Sequence, residues 1–187
     1  KELSVSIGVC GEISKKYFMR RDLAQEGDFI FVTGNLGEAL IGLSLVKGKK
    51  KKLSLKDKAF VNRYLKPEIQ LAFSQDLSKI ANSCIDISDG LLGDLKHITD
   101  ESKLGADIYL ESIPFQGDYK DALTWGDDYQ LCFTLDPSKL EMLKKIANTH
   151  KVKVSKIGTL KKGSGISVFS KGKKISIKKA GYNHFNE

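Results

Sequence analysis

The chain has 187 residues, of which 41% are hydrophobic and 29% charged. This length and composition predict one compact domain with a sizeable core, and no apolar run is long enough to cross a bilayer. The net charge of +8 comes almost entirely from lysine, because arginine occurs only at Arg20, Arg21 and Arg63. The densest lysine run, at 47–52, has no aromatic residue on which a base could stack. We therefore predict neither a membrane protein nor a nucleic-acid-binding one.

The predicted elements alternate between strands and helices. In chain order they are strands at 3–9 and 29–33, helices at 38–46, 56–65 and 68–80, a strand at 84–87, a helix at 90–102, a strand at 106–110, a loop or short helix within 111–126, a strand at 129–135, a helix at 137–148, and strands at 152–160, 166–169 and 173–177. This order predicts an α/β domain with a mixed β-sheet flanked by helices. Because no internal repeat or linker is visible, we assign 1–187 to a single domain.

The three cysteines, Cys10, Cys84 and Cys132, show no metal-ligand spacing. Each lies in a strand-like hydrophobic run, so we predict buried, reduced thiols rather than disulfides or a zinc site. Reduced thiols and the absence of a signal-peptide pattern predict a cytoplasmic location. Residues 1–4 lead directly into a predicted strand, and we interpret the chain as truncated or processed from a longer protein.

The most informative segment is DISDGLL at 86–92, where two carboxylates bracket a serine between a predicted strand and a predicted helix. Asp86 at the strand end and Asp89 at the helix start can approach one point, and Mg²⁺ prefers such hard oxygen ligands. The start of the helix favours a phosphate, to which Ser88 can add a hydroxyl donor, and Gly90 allows a ligand close to the backbone. The pattern therefore predicts a metal or phosphate site.

A structural role is the alternative interpretation of the same segment. Asp89 could simply be the N-cap of the helix, although Leu92 stands where a capping box would have glutamate. Capping would leave Asp86 unexplained, since a charge within a strand is costly to bury without a partner. Both interpretations remain open on the residue pattern alone.

Several motifs in order along the chain resemble those of thiamine-monophosphate kinases, which belong to a superfamily with aminoimidazole ribonucleotide synthetase. The main segment is 86–92 with its continuation at 93–98. The others are GE at 11–12, Arg21, GD at 27–28, VTGNLG at 32–37, GADI at 105–108, IP at 113–114, TWGDDYQL at 124–131, IG at 157–158 and GYNHF at 181–185. The resemblance covers essentially the whole chain. It implies the fold of that superfamily's C-terminal domain and the ATP-dependent phosphorylation of thiamine monophosphate to thiamine diphosphate.

The resemblance also implies roles for single residues at the nucleotide end. Asp86 would ligate one magnesium ion and Asp89 another, out of several Mg²⁺ in the intact enzyme. Ser88 and Arg21 would contact ATP, the co-substrate, and a planar, permanently charged guanidinium suits a phosphate.

At the vitamin end, the resemblance implies that Asp127 and Tyr182 contact thiamine monophosphate. A carboxylate and an aromatic face both suit its cationic thiazolium ring. Asp127 stands where the family usually has glutamate, and Trp125 and Gln130 also depart from the usual residues. The alternatives are a turn before a strand for Asp127 and surface packing for Tyr182.

By the same resemblance, an N-terminal domain absent from this chain would supply further metal ligands, nucleotide contacts and most of a homodimer interface. We therefore expect the chain to be inactive alone, because phosphoryl transfer depends on positioning and on charge neutralisation by metals. The alternative functions are another enzyme of the superfamily, of the selenophosphate synthetase or hydrogenase-maturation type, and a non-catalytic lysine-rich module that binds RNA or an acidic partner.

Overall fold

The computed structural model describes residues 3–48 and 52–177. Within them the strands are β1 (Phe29–Thr33), β2 (Ser83–Ile87), β3 (Gly105–Tyr109), β4 (Gln130–Leu135), β5 (Val154–Lys161), β6 (Gly165–Ser170) and β7 (Lys173–Ile175). The helices are α1 (Glu38–Lys47), α2 (Leu55–Leu65), α3 (Leu71–Leu77), α4 (Leu91–Glu101), α5 (Tyr119–Thr124) and α6 (Leu140–His150). The strands form one sheet in the order β2-β4-β1-β5-β3-β6-β7.

The sheet is mixed, as predicted, because β3 and β6 run parallel while the other neighbouring strands run antiparallel. Helices cover both of its faces. Ile30 and Val32 of β1 join a core with α4 and α5, whereas Phe31 between them joins a second core with α3 and α6. This division follows from the alternation of side chains along a strand. The predicted fold class is therefore confirmed.

The structure differs from the predicted elements in three places. Residues 3–14 lie in the described part but form neither helix nor strand, and Leu3 and Ile7 are 90% and 84% exposed. Alternation alone does not make a strand, because its backbone groups need a neighbouring strand to pair with. The helix predicted at 68–80 is shorter than expected and occupies only α3, because 67–70 has no regular structure and the amide of Leu71 donates to the nearby carbonyl of Ile69. Pro137 opens a short 3₁₀ turn, and α6 follows it.

The cysteines are free, as predicted, but they are not all buried. Cys132 is buried in β4 and Cys84 is half-buried in β2, whereas Cys10 is exposed in the irregular N-terminal segment. Burial raises the pKa of the Cys84 thiol to about 12, which makes it an unreactive thiol. Among the helices of the described residues, none has the length and apolarity that a membrane crossing requires.

Candidate metal and phosphate site

The segment 86–92 joins the end of β2 to the start of α4 at the edge of the sheet. β2 is the outermost strand on this side, and the Asp86 side chain is exposed there. The expected cost of burying its charge is therefore absent. Gly90 has φ 110° and touches the 124–129 loop, since a β-carbon at this position would lie 2.7 Å from the carbonyl carbon of Thr124. Only glycine allows this backbone contact.

Asp89 is not the N-cap of α4. That position belongs to Gly90, which has no side chain with which to cap. The backbone amide of Asp89 instead donates a 3.0 Å hydrogen bond to the carboxylate of Asp94, one turn into the helix. The N-cap interpretation is wrong, and the Asp89 carboxylate is half-buried beside the helix start.

Asp94 is a residue that sequence reasoning left without a role. It is only 2% exposed, and burial raises its pKa to about 6. The negative charges of Asp89 and Asp86 add to this rise, so the three carboxylates are close enough to repel one another. Its position in the first turn of α4 could have indicated this role, because acidic residues there can accept hydrogen bonds from the backbone amides that precede the helix.

The 124–129 loop lies directly against the 86–90 turn. The amide of Asp127 donates to the carbonyl of Ser88 at 3.0 Å, and the amide of Tyr129 donates to the carbonyl of Ile87 at 2.9 Å. Gly126 makes the contact possible, since a β-carbon there would lie 1.7 Å from the Ser88 carbonyl oxygen. Asp127, predicted at the vitamin end, is thus one hydrogen bond away from Ser88, predicted at the nucleotide end.

The loop also concentrates negative charge. Burial raises the pKa of the Tyr129 phenol, and the charges of Asp127, Asp86 and Asp89 raise it further, in that order. Three carboxylates from two separate segments therefore act on one phenol. A surface of this kind attracts cations such as Mg²⁺ or a thiazolium ring.

Asp128 is a second residue without a predicted role. It is 7% exposed and accepts hydrogen bonds from the amides of Gly37, at 2.6 Å, and Ala39, at 3.1 Å. Burial raises its pKa to about 6. It thereby caps the start of α1, which Gly37 cannot cap because glycine has no side chain. The alternative interpretation of 127–128 as a turn did not include this contact, and the structure assigns no regular turn to these residues.

Arg21 lies beside β2 in a segment that adds to the edge of the sheet. The amide of Cys84 donates to the carbonyl of Arg20 at 3.1 Å, and the Ser102 hydroxyl donates to the carbonyl of Arg21 at 2.9 Å. Arg21 and Asp86 line the same groove of about 760 Å³. The structure thus brings Arg21 near the 86–90 turn, whereas Tyr182 lies outside the described residues.

The donor set fits a magnesium ion in part. Asp86 and Asp89 offer hard carboxylate oxygens. A divalent cation bound to them would relieve the repulsion among the carboxylates of Asp86, Asp89 and Asp94. Within residues 3–48 and 52–177, however, no three histidine, cysteine, aspartate or glutamate side chains are grouped so that they could hold a metal. Two carboxylates supply part of a coordination sphere, and water and substrate phosphates commonly supply the rest of one.

Residues 25–171 match the family model described as AIR synthase related protein, C-terminal domain. The chain belongs to this family. Solved structures have a similar fold. The thiamine-monophosphate kinase from Stenotrophomonas maltophilia is 31% identical in sequence and superposes with a TM-score of 0.77. The match covers 87% of this chain and 56% of that one. AaThiL, complexed with AMPPCP and TMP, is 32% identical, with a TM-score of 0.74, over 90% of this chain and 54% of that one.

Curated relatives agree with the structural comparison. Thiamine-monophosphate kinase from Buchnera aphidicola subsp. Schizaphis graminum is 38% identical over 198 residues, covering 98% of this chain and 60% of the relative. The chain therefore spans about 60% of the length of the curated relatives it matches. The resemblance drawn from the sequence motifs is confirmed at the level of the family.

Proposed function

We propose that this chain is the C-terminal domain of a thiamine-monophosphate kinase, which transfers a phosphoryl group from ATP to thiamine monophosphate. The observation that carries the proposal is the direct contact between the 86–90 turn and the 124–129 loop. This contact supports the proposal because Ser88 would bind the nucleotide and Asp127 the vitamin, and phosphoryl transfer requires the two substrates to lie close together. The similarity to AaThiL, a protein complexed with AMPPCP and TMP, supports the same substrates.

In this proposal, Asp86 and Asp89 would hold Mg²⁺, and Ser88 and Arg21 would bind ATP. Bound magnesium neutralises the charge of the phosphates. The start of α4 and the Ser88 hydroxyl offer hydrogen-bond donors to a phosphate, and the Arg21 guanidinium offers a charged one. The chain's own residues thus orient the nucleotide at the edge of β2.

At the other end, Asp127 would bind thiamine monophosphate through its carboxylate, and Tyr182 would stack on the ring. The backbone of Asp127 is fixed by its hydrogen bond to Ser88. A carboxylate carried on this backbone, next to the proposed phosphate site, would align the vitamin with the transferred group. Water exclusion and the remaining ligands would come from elsewhere in the intact enzyme.

We also propose that the chain functions as one domain of a longer, homodimeric, cytoplasmic enzyme. Leu3, Val5, Ile7 and Val9 occupy alternate positions and are all strongly exposed. This segment therefore has the pattern of a strand, but it pairs with no other strand in the part of the chain that the structure describes. An N-terminal domain would cover it and complete the metal site. The chain alone is therefore expected to show no kinase activity.

The test is turnover by the full-length protein with ATP, Mg²⁺ and thiamine monophosphate, with the product identified by chromatography. We expect thiamine diphosphate and ADP in equal amounts. Consumption of ATP only with a different acceptor, such as a selenium compound, would replace this function by another of the superfamily. Turnover of thiamine monophosphate by 1–187 alone would refute the two-domain part of the proposal.

A further inference from the structure

Asp128 connects two parts of the fold that lie 91 residues apart in sequence. Its two carboxylate oxygens accept from different amides of the α1 start, at 2.6 Å from Gly37 and 3.1 Å from Ala39. An ordinary N-cap would come from the residue next to the helix. Here the cap comes from the middle of the 124–129 loop, so the position of the loop depends on α1.

The residues on both sides of Asp128 have unusual backbone geometry. Asp127 has φ 67° and Tyr129 has φ 49°, in the left-handed region that side-chain-bearing residues rarely adopt. Such residues persist only where their surroundings hold them. The amides of Asp127 and Tyr129 hold one side of the loop through the 87–88 backbone, and the Asp128 side chain holds the other through α1.

We propose that Asp128 is a positioning residue for substrate specificity, whose carboxylate holds the left-handed loop so that Asp127 faces thiamine monophosphate. This role rests on the proposed function. Asp128 itself is buried, and both of its carboxylate oxygens are occupied by the α1 amides. Its effect on binding therefore passes through the backbone of its neighbour.

A purely structural cap makes a different prediction. If Asp128 only stabilised α1, its loss would lower the stability of the protein without selecting between the two substrates. If it positions Asp127, its loss weakens binding of the vitamin while the ATP end, at the 86–90 turn, is preserved. The ratio of the two KM values separates these cases.

The experiment compares Asp128→Asn and Asp128→Ser with Asp136→Asn in the full-length protein. Asp136 also caps a turn, accepting from the Ser138 amide at 2.8 Å, but it follows β4 at the end opposite to Asp128. Asn and Ser keep one acceptor for the α1 amides and lose the bidentate contact. We expect both Asp128 variants to raise KM for thiamine monophosphate about tenfold and KM for ATP less than about twofold, with Asp136→Asn unchanged.

Hydrogen exchange provides a second readout that does not depend on turnover. In both Asp128 variants, peptides covering 36–39 and 124–130 should exchange faster than in the wild type, and in Asp136→Asn they should not. Faster exchange with both KM values unchanged would make Asp128 a cap only. If the Asp128 variants exchanged at 124–130 as slowly as the wild type, the positioning role would be wrong, whichever substrate the enzyme uses. A wild-type protein that does not act on thiamine monophosphate would refute the proposed function, and the exchange data would still decide whether Asp128 holds the loop.

Discussion

Gly126 is the position where the contact between the two site segments is tightest. A β-carbon on Gly126 would lie 1.7 Å from the carbonyl oxygen of Ser88 and 2.5 Å from its carbonyl carbon, and both atoms belong to backbone. A real contact needs at least 3.0 Å, so the loop and the turn must separate by more than about 1 Å in Gly126→Ala. No flexible side chain can absorb that displacement.

The separation has a calculable effect on stability. The hydrogen bond from the Asp127 amide to Ser88, now 3.0 Å, would stretch beyond bonding distance, and the 2.9 Å bond from Tyr129 to Ile87 would weaken with it. Two backbone hydrogen bonds contribute about 1 kcal/mol each, so we expect Gly126→Ala to lower the free energy of unfolding by about 2 kcal/mol. Because Asp127 moves away from Ser88, kcat/KM should fall by more than stability alone would cause.

The assay is urea unfolding together with steady-state kinetics of full-length Gly126→Ala. Lys145→Ala is the control, because Lys145 is exposed on α6 and belongs to neither of the two site segments. We expect the control to retain wild-type stability and turnover. If Gly126→Ala were as stable and as active as the control, the contact between the loop and the turn would not exist in the working enzyme.

Three further predictions concern the carboxylates of the site. Asp86→Asn and Asp89→Asn should each remove most of kcat without lowering the melting temperature, because each variant loses a metal ligand and relieves repulsion between carboxylates. The control is Asp100→Asn, which is exposed at the far end of α4. Near-wild-type turnover in either site variant would refute the metal assignment of that residue. Asp127→Asn should raise KM for thiamine monophosphate roughly ten- to a hundredfold and leave KM for ATP nearly unchanged. Asp127→Glu should have a modest effect on KM. Equal rises in both KM values would mean that Asp127 only holds the structure. Burial raises the pKa of Asp128 from 3.8 to about 6, and the neighbouring charges of Glu38 and Asp127 act in the same direction. The native state therefore binds this proton more tightly than the unfolded chain does. Stability is consequently lost as pH rises from about 4 to 6. Relative to Asp128→Asn, the wild type should lose up to about 3 kcal/mol in urea unfolding across that range, and a gain would contradict the burial of this charge.

The 86–92 segment could be singled out from the sequence because its features are local. Two aspartates, a serine and a glycine at a strand-to-helix junction predict a metal or phosphate site, and the same residue pattern also left a structural role open. The α/β fold followed in the same way from alternating apolar patterns. Asp127 and Arg21 required the resemblance, since nothing in their neighbourhoods distinguishes them from surface residues.

The parts that could not be predicted depend on contacts between distant segments. Asp128 caps a helix that begins 91 residues earlier, and no local pattern indicates that Gly37 needs this partner. Asp94 resembles an ordinary first-turn acid until its burial and its bond to Asp89 are known. The strand predicted at 3–9 is wrong for the described structure, because strand formation requires a neighbouring strand to pair with, and alternation of side chains does not supply one.

The most direct test is a crystal structure of the full-length protein with a non-hydrolysable ATP analogue, thiamine monophosphate and Mn²⁺ in place of Mg²⁺. The proposed function predicts anomalous metal peaks within about 2.0–2.3 Å of carboxylate oxygens of both Asp86 and Asp89, near the values for hard-cation coordination. It also predicts the thiamine moiety within hydrogen-bonding or ion-pairing distance of the Asp127 carboxylate. Metal peaks that touch neither aspartate, or a vitamin bound away from the 124–129 loop, would contradict it.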